Sequence, residues 1–335
     1  MSDEIWMQRA LDLAQLGGGF VVPNPWVGCV IVRNNQIIGE GYHAQYGGPH
    51  AEVNAFLQTE DARGATVYVS LEPCSHTGKT PPCADLLIKH QVGRVVICNL
   101  DPNPLVAGQG VAKLQAAGIE VEIGVLAEKG EYLNRRFFHF HRHQRPYLTV
   151  KFASSSDQFI AQKSGEAMLF SNPISHALVH RLRSEHHTIL VGVNTVNNDN
   201  PSLTTRTWPG KSPLRLILDP HGRTNPNALV LTDGDPTILF TYGITKSDGH
   251  KEWVALGESD YLAAFMRYCY AKGIQSILVE GGTKTIEELV EKMEVQELIQ
   301  IESDLELNEG IAAPRLANED FQSYPIGSNN RWKKR

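Results

Sequence analysis

Apolar and polar positions recur along the chain with two different periodicities, and these distinguish predicted helices from predicted strands. Residues 4–16 carry leucines and an isoleucine among polar positions, which is typical of a helix, and three glycines follow as a stop signal. Short apolar runs at 27–32 and 36–41 predict two strands, and Asn34-Asn35 between them predicts a hairpin turn.

The alternation continues to residue 145 and restarts after it. The first part predicts helices at 51–58, 83–90 and 111–117, and strands at 65–70, 94–99 and 120–123. The second part predicts strands at 147–152, 188–193, 214–218, 237–241 and 276–279, and helices at 174–183, 261–272 and 285–293. Because strands that alternate with helices form layered α/β structures, we predict two α/β domains, 1–145 and 146–335.

The composition excludes several classes of protein. The 335-residue chain has a formal net charge of −6, which argues against a nucleic-acid partner. It has no apolar run of the ~20 residues that span a bilayer, and its acidic start does not resemble a signal peptide. Five scattered cysteines do not form a disulfide framework. We therefore expect a cytoplasmic protein with neither a membrane nor a nucleic-acid partner.

Four residues form a pattern typical of a zinc-dependent deaminase. His50 and Glu52 open a predicted helix, Cys74 closes a predicted strand, and Cys83 begins the next helix after two prolines. One imidazole and two thiolates are a natural zinc set, and they leave the fourth position for a water molecule of lowered pKa. We predict one zinc per chain on His50, Cys74 and Cys83, with Glu52 as the proton-transfer residue.

The other cysteines and a set of histidines have no comparable pattern. We predict that the remaining cysteines are core residues, namely Cys29, Cys98 and Cys269. Three histidines alternate along the basic segment 135–145, namely His139, His141 and His143. A second metal site is the alternative there, and a solvated linker strand is the preferred interpretation.

Six motifs together resemble those of one family. They are Pro23-Asn24-Pro25, Gly41-Tyr42-His43, His50-Ala51-Glu52-Val53-Asn54-Ala55, Glu72-Pro73-Cys74-Ser75-His76, Gly78-Lys79-Thr80-Pro81-Pro82-Cys83 and Asp101-Pro102-Asn103-Pro104. With these motifs, and with eight residues between its two metal-binding cysteines, the chain resembles the bifunctional deaminase–reductases of riboflavin biosynthesis.

The resemblance implies a fold and two activities. The first domain is expected to be a three-layer, cytidine-deaminase-like domain that removes an amino group from 2,5-diamino-6-(5-phosphoribosylamino)pyrimidin-4-one. The second is expected to resemble dihydrofolate reductase and to reduce the ribose to ribityl with NADPH. The implied partners are small-molecule substrates, and we expect a homo-oligomer.

The resemblance also assigns site residues. In the first domain it implies substrate contacts by Asn24, His43, His76, Lys79 and Asn103, with Lys79 suited to the phosphate. In the second it implies substrate contacts by Lys151, Ala167, Arg183, Leu203, Arg206 and Glu280. It implies NADPH contacts by Ala153, Leu169, Thr195, Asp199, Gly281, Gly282 and Thr283.

Three positions in the second half depart from the family pattern. Gln158 stands where a Ser-Leu-Asp-Gly run ends in glycine, and Ala167 and Leu169 replace a Ser-x-Trp pair. These departures leave open a second interpretation, a non-catalytic domain that binds substrate or assembles subunits. A third interpretation is a deaminase that acts on another base, such as cytosine or a tRNA adenosine. The cysteine spacing and the acidic net charge argue against it.

Overall fold

The computed structural model describes residues 2–75, 81–104, 106–163, 170–315 and 321–335. The chain divides into two compact units, Met1–Gln144 and Arg145–Arg335, and each is described by itself. Across these ranges no helix has both the length and the apolar character needed to cross a membrane.

The first unit is a five-stranded sheet between two layers of helices, as far as its described residues go. Its helices are α1 (Asp3–Gln15), α2 (Ala51–Phe56), α3 (Cys83–Lys89), α4 (Gln109–Ala116), α5 (Ala127–Leu133) and α6 (Arg135–His143), with a 3-10 turn at Gly18–Phe20. Its strands are β1 (Gly28–Arg33), β2 (Gln36–Tyr42), β3 (Thr66–Leu71), β4 (Arg94–Asn99) and β5 (Glu120–Ile123). The sheet order is β2-β1-β3-β4-β5, parallel from β3 onward. α1 packs on one face, and α2, α3 and α4 pack on the other, so the predicted three-layer arrangement is confirmed.

The turn that precedes β2 and a glycine within β2 set the position of α2. Asn34 and Asn35 have φ values of 53° and 58°, as a two-residue hairpin turn requires, and the predicted turn is confirmed. A Cβ atom on Gly41 would lie 2.5 Å from the backbone nitrogen of Ala55, so the backbones of β2 and α2 are in direct contact. This contact fixes where α2 begins, and therefore where His50 lies.

The predicted linker strand at 135–145 is wrong, because most of this segment forms α6. Phe137, Phe138 and Phe140 are buried on one side of the helix. The rings of His139 and His143 lie 4.6 Å apart, one turn from each other, whereas His141 packs on Phe137. Among the described residues these histidines form no metal-binding group.

The second unit is built on a larger sheet, ten-stranded in its described part. Its helices are α7 (Pro173–Glu185), α8 (Val193–Asp199), α9 (Leu229–Thr232), α10 (Tyr261–Ala271) and α11 (Thr283–Lys292), with a 3-10 turn at Glu258–Asp260. Its strands are β6 (Tyr147–Ser154), β7 (Phe159–Ala161), β8 (Thr188–Gly192), β9 (Leu214–Leu218), β10 (Thr237–Thr241), β11 (Lys246–Asp248), β12 (Lys251–Ala255), β13 (Ser276–Gly281), β14 (Glu297–Ser303), β15 (Ile311–Ala312), β16 (Gln322–Ile326) and β17 (Asn330–Lys334).

The strand order is β11-β12-β10-β9-β8-β13-β6-β14-β17-β16. The strands from β12 to β14 are parallel, and β11, β17 and β16 are antiparallel to their neighbours. α10 and α11 cover one face, and α7, α8 and α9 contribute apolar residues to the other. The predicted elements of this half are present, but the pattern missed α8, α9 and the strands β7, β11, β12 and β14 to β17.

One departure from the family pattern has a structural account. Gln158 has a φ of +66°, in the left-handed region that favours the glycine expected there. Its amide donates to Glu302 at 3.0 Å and accepts from Gln300 at 2.9 Å. These hydrogen bonds hold a side chain that glycine lacks, and they offset part of the backbone strain.

Candidate active sites

His50, Cys74 and Cys83 converge in the first unit. Their ligand atoms all lie within 4.8 Å of one another, and in the described part of the chain this is the one such group. His50 Nδ1 is 3.6 Å from Cys74 Sγ and 3.3 Å from Cys83 Sγ. Nitrogen and sulfur ligands of a tetrahedral zinc lie about 3.5 Å apart, given bonds of about 2.0–2.1 and 2.3 Å. Both nitrogen–sulfur distances therefore match those of a tetrahedral zinc site.

The local fold brings the two cysteines together. Cys83 is the first residue of α3, and its backbone N–H donates to Cys74 Sγ at 3.3 Å. The N–H of Ala84 donates to the carbonyl oxygen of Cys74 at 3.1 Å. The start of α3 is therefore attached to the segment that follows β3, and these two hydrogen bonds hold the cysteines side by side.

The two thiols have opposite protonation tendencies. Hydrogen bonds from Cys83 and His50 lower the pKa of Cys74 to about 4, although burial opposes this. The same Cys74 contact and burial raise the pKa of Cys83. One thiolate is therefore available to a cation at once, and the second forms when a cation compensates its charge.

Glu52 lies beside the ligands in the first turn of α2. It is only 3% exposed. Burial raises its pKa, against the opposing charge of His50. A pKa moved toward neutrality suits a carboxyl group that must both take up and release a proton.

Asn24 and His43 form a linked pair next to this group. The His43 ring lies 5.7 Å from the His50 ring, and its Nδ1 is 2.9 Å from the carbonyl oxygen of Pro49. Burial lowers the pKa of His43, so its ring is neutral and Nδ1 carries the proton. Its Nε2 then accepts from Asn24 Nδ2 at 3.1 Å, which leaves the Asn24 amide oxygen directed away from His43.

Glu72 organises the loop that carries Asn103. Its buried carboxylate accepts hydrogen bonds from four backbone N–H groups, those of Asp101, Gly108, Gly110 and Val111, at 3.0 to 3.3 Å. The N–H of Asn103 donates to Asp101 Oδ1 at 2.8 Å. The sequence motif contained Glu72 but gave no indication of this role. His76 and Lys79 lie outside the described residues.

The second unit contains a cavity of about 1320 Å³. Most of the predicted residues line it, namely Lys151, Ala153, Arg183, Thr195, Asp199, Glu280, Gly281, Gly282 and Thr283. Leu203 does not, because its side chain packs into the core and is 3% exposed. Arg206 lies next to Arg183, since both donate to Thr204. Ala167 and Leu169 lie outside the described residues.

Arg183 and Glu280 form one unit. Arg183 Nε and Nη2 donate to the two carboxylate oxygens at 2.8 and 2.7 Å. Burial opposes the charge of Glu280, but Arg183 and Lys151 outweigh it and lower the pKa to about 2. Burial lowers the pKa of Lys151, which Glu280 opposes. The cluster therefore combines a fixed ion pair with an amine that releases a proton more readily than usual.

The turn before α11 fits a phosphate-bearing cofactor. Gly282 has a φ of +76°, and a Cβ on Gly281 would lie 3.1 Å from Thr195 Oγ1. Thr283 Oγ1 is buried and has no hydrogen-bond partner in the described structure. The first residues of α11 line the same cavity, and the N-terminus of a helix suits an anion.

Sequence reasoning missed the part of the cavity formed after β9 and β10. It is lined there by Pro220 and Arg223, which follow β9, and by Tyr242, which follows β10. Asn194 and Asn198 of α8 line the cavity as well. The available signal was topological, because the segments that follow neighbouring parallel strands meet at one side of a sheet.

Comparisons with known proteins match each unit to a known domain. Residues 1–99 match the cytidine and deoxycytidylate deaminase zinc-binding region, and residues 146–301 match the RibD C-terminal domain. The riboflavin biosynthesis protein RibD of Bacillus amyloliquefaciens is 40% identical over 332 residues, 96% of this chain and 90% of the relative. That of Escherichia coli K12 is 39% identical over 328 residues, 89% and 87% of the two chains.

Solved structures extend this similarity to the fold. A diaminohydroxyphosphoribosylaminopyrimidine deaminase/5-amino-6-(5-phosphoribosylamino)uracil reductase from Thermotoga maritima has a TM-score of 0.89 at 36% identity, covering 99% of this chain and 97% of that one. RibD of Acinetobacter baumannii has a TM-score of 0.91 at 33% identity, covering 99% and 98%.

Proposed function

Because the chain belongs to the bifunctional deaminase–reductase family of riboflavin biosynthesis, we propose that each unit performs one of two consecutive steps. Residues 1–145 remove an amino group from 2,5-diamino-6-(5-phosphoribosylamino)pyrimidin-4-one, and residues 146–335 reduce the ribose of the product. The convergence of His50, Cys74 and Cys83 beside buried Glu52 carries the first assignment.

In the deaminase unit the protein positions the ring and moves protons. His50, Cys74 and Cys83 would hold a zinc ion, which would supply a water of lowered pKa. Glu52 accepts a proton from the attacking water and passes it to the ring nitrogen beside the attacked carbon. It then takes a second proton from the hydroxyl group now bonded to that carbon and gives it to the amine, which leaves as ammonia while the carbon–oxygen double bond forms. The amide oxygen of Asn24, oriented by His43, accepts a hydrogen bond from the substrate.

In the reductase unit the cavity brings substrate and cofactor together. The Gly281–Gly282 turn would hold the phosphates of NADPH, which would supply the hydride. Lys151, with its lowered pKa, donates a proton to the ribose ring oxygen as the carbon–oxygen bond opens. The Arg183–Glu280 pair holds the ribose or its phosphate, and Arg206 adds a second guanidinium.

Mass analysis of the products tests both assignments. Purified protein incubated with the diaminopyrimidine substrate should yield the deaminated product without NADPH, and its ribityl form with NADPH. Deamination without NADPH-dependent reduction would support instead a non-catalytic second unit. The similarity to the relatives along most of their length favours two activities over that alternative.

A further inference from the structure

The segment that follows α8 carries Arg206 and has no regular secondary structure, so its position depends on contacts with other parts of the unit. Three of its backbone groups are held from outside the segment, those of Ser202, Thr204 and Arg206. Arg215 and Arg183 donate to the first two carbonyl oxygens at 3.3 and 3.1 Å. His180 Nδ1 accepts the N–H of Arg206 at 2.9 Å. The backbone is therefore fixed at every second residue, and His180 holds the one that carries the proposed substrate contact.

His180 is a buried residue of α7. It lies three residues before Arg183, so both side chains lie on the same side of the helix. It is only 1% exposed, and burial together with the charge of Arg183 lowers its pKa to about 4. The ring is therefore neutral at ordinary pH, and Nδ1, which accepts a hydrogen bond, is the nitrogen without a proton.

A second histidine of α7 contacts the same segment. The ring centroids of His176 and His180 lie 4.5 Å apart, one helical turn from each other. His176 Nδ1 lies 3.4 Å from Oγ1 of Thr207, the residue after Arg206. Two imidazoles of α7 therefore contact two consecutive residues of the segment.

The side chain of Arg206 is oriented by its own segment. Its Nη1 donates to Thr204 Oγ1 at 2.9 Å and also to Ser202 Oγ. Both acceptors are neutral hydroxyl oxygens, which do not compensate the charge of the guanidinium. Because Arg183 Nη1 donates to the carbonyl oxygen of the same Thr204, the two arginines converge on one residue. Two converging guanidinium groups suit one phosphate, provided that the backbone of Arg206 keeps its place.

We propose that His180 is a positioning residue of the reductase, which keeps Arg206 beside Arg183 by accepting its backbone N–H. The inference rests on the proposed reduction of the phosphorylated ribose. The phosphate takes no part in hydride transfer, so its contacts contribute equally to binding of the substrate and of the transition state. Loss of the hydrogen bond to His180 should therefore raise KM and leave kcat unchanged.

Steady-state kinetics of the intact two-unit protein, with the deaminated substrate and saturating NADPH, tests the proposal. His180→Leu should raise KM about 10- to 100-fold, as expected when a displaced Arg206 loses a charge-assisted hydrogen bond. His180→Phe, which keeps a ring without an acceptor, should do the same. His180→Asn should restore KM to near the wild-type value, because its amide oxygen stands in the place of Nδ1 and accepts the same N–H.

A double variant tests whether the histidine acts through the arginine. Arg206→Ala should raise KM by a similar factor, and His180→Leu added to it should have no further effect. An unchanged KM in the two acceptor-free variants, a His180→Asn protein no better than His180→Leu, or additive losses in the double variant would overturn the role of His180. A histidine that only stabilises the fold would lower the unfolding temperature without this pattern in KM.

Calorimetric titration with the same substrate separates this inference from the function on which it rests. A wild-type protein that binds the substrate without reducing it would contradict the reductase assignment, and the Kd values of the variants would then decide the role of His180. A wild-type protein that does not bind the substrate would overturn both.

Discussion

Two buried glutamates show how surroundings decide the chemistry of a side chain. Burial raises the pKa of Glu52 because the nearby imidazole only partly compensates its charge. Glu280 is also buried, yet Arg183 and Lys151 lower its pKa to about 2. The first carboxyl group is suited to exchange protons, and the second to remain a fixed negative charge.

Glu52→Gln should separate catalysis from metal binding. The amide keeps the size of the side chain but cannot carry a proton, so deamination should slow by at least 10²–10⁴-fold, the usual contribution of a general acid–base group. Zinc content, measured on purified protein, should stay at one ion per chain. Cys74→Ser is the matched contrast and should lose zinc and activity together. Release of zinc by Glu52→Gln would make Glu52 a ligand instead.

The Arg183–Glu280 pair predicts a pH dependence of stability. The folded pKa of Glu280 is about 2, below its ordinary value of 4.5. The stabilisation from its charge is therefore complete above about pH 4.5 and is lost as the pH falls toward 2. In urea unfolding, the difference in unfolding free energy between wild type and Glu280→Gln should shrink across this window. A constant difference would mean that the pair does not set this pKa.

At the scale of elements, local patterns were predictable and long-range contacts were not. The Asn34-Asn35 turn and the His-x-Glu motif are local, and both fall where the sequence placed them. α6 was misread because alternating Phe and His imitate a strand, whereas burial of three phenylalanines on one side selects a helix. The contacts of Glu72 join positions 29 to 39 residues apart, and no local pattern reveals them.

Glu72→Gln should loosen the loop at 101–111. The NH₂ group of the new amide cannot accept a hydrogen bond. The backbone N–H groups that now donate to the oxygen it replaces would therefore lose their acceptor. Each buried unsatisfied group costs about 1–3 kcal/mol, and the unfolding free energy should fall by at least that amount. Exposed Glu128→Gln is the control, expected to change the unfolding free energy by no more than about 0.5 kcal/mol. Similar values for the two variants would contradict the role given to Glu72.

At the scale of the whole molecule, each unit has its own core and its own predicted site. Arg183→Ala should therefore spare deamination and slow reduction about 10- to 100-fold, since it removes a charged hydrogen-bond donor. Glu52→Gln should do the reverse and leave reduction of the deaminated substrate intact. Separate assays of the two steps measure both, and loss of both activities in either variant would contradict this independence.

The outer strands of the large sheet bear on how the protein behaves when concentrated. A sheet that ends in a long regular strand offers unpaired backbone groups to a second chain and invites aggregation. Here one side ends in the three exposed residues of β11, and the other in β16, where Pro325 lacks an N–H to donate. Pro325→Val should therefore increase light scattering at high protein concentration, whereas Ser323→Val, which adds the same side chain without restoring a donor, should not. Lateral growth of the sheet at β16 is therefore limited by a residue that has no backbone N–H to offer a second chain.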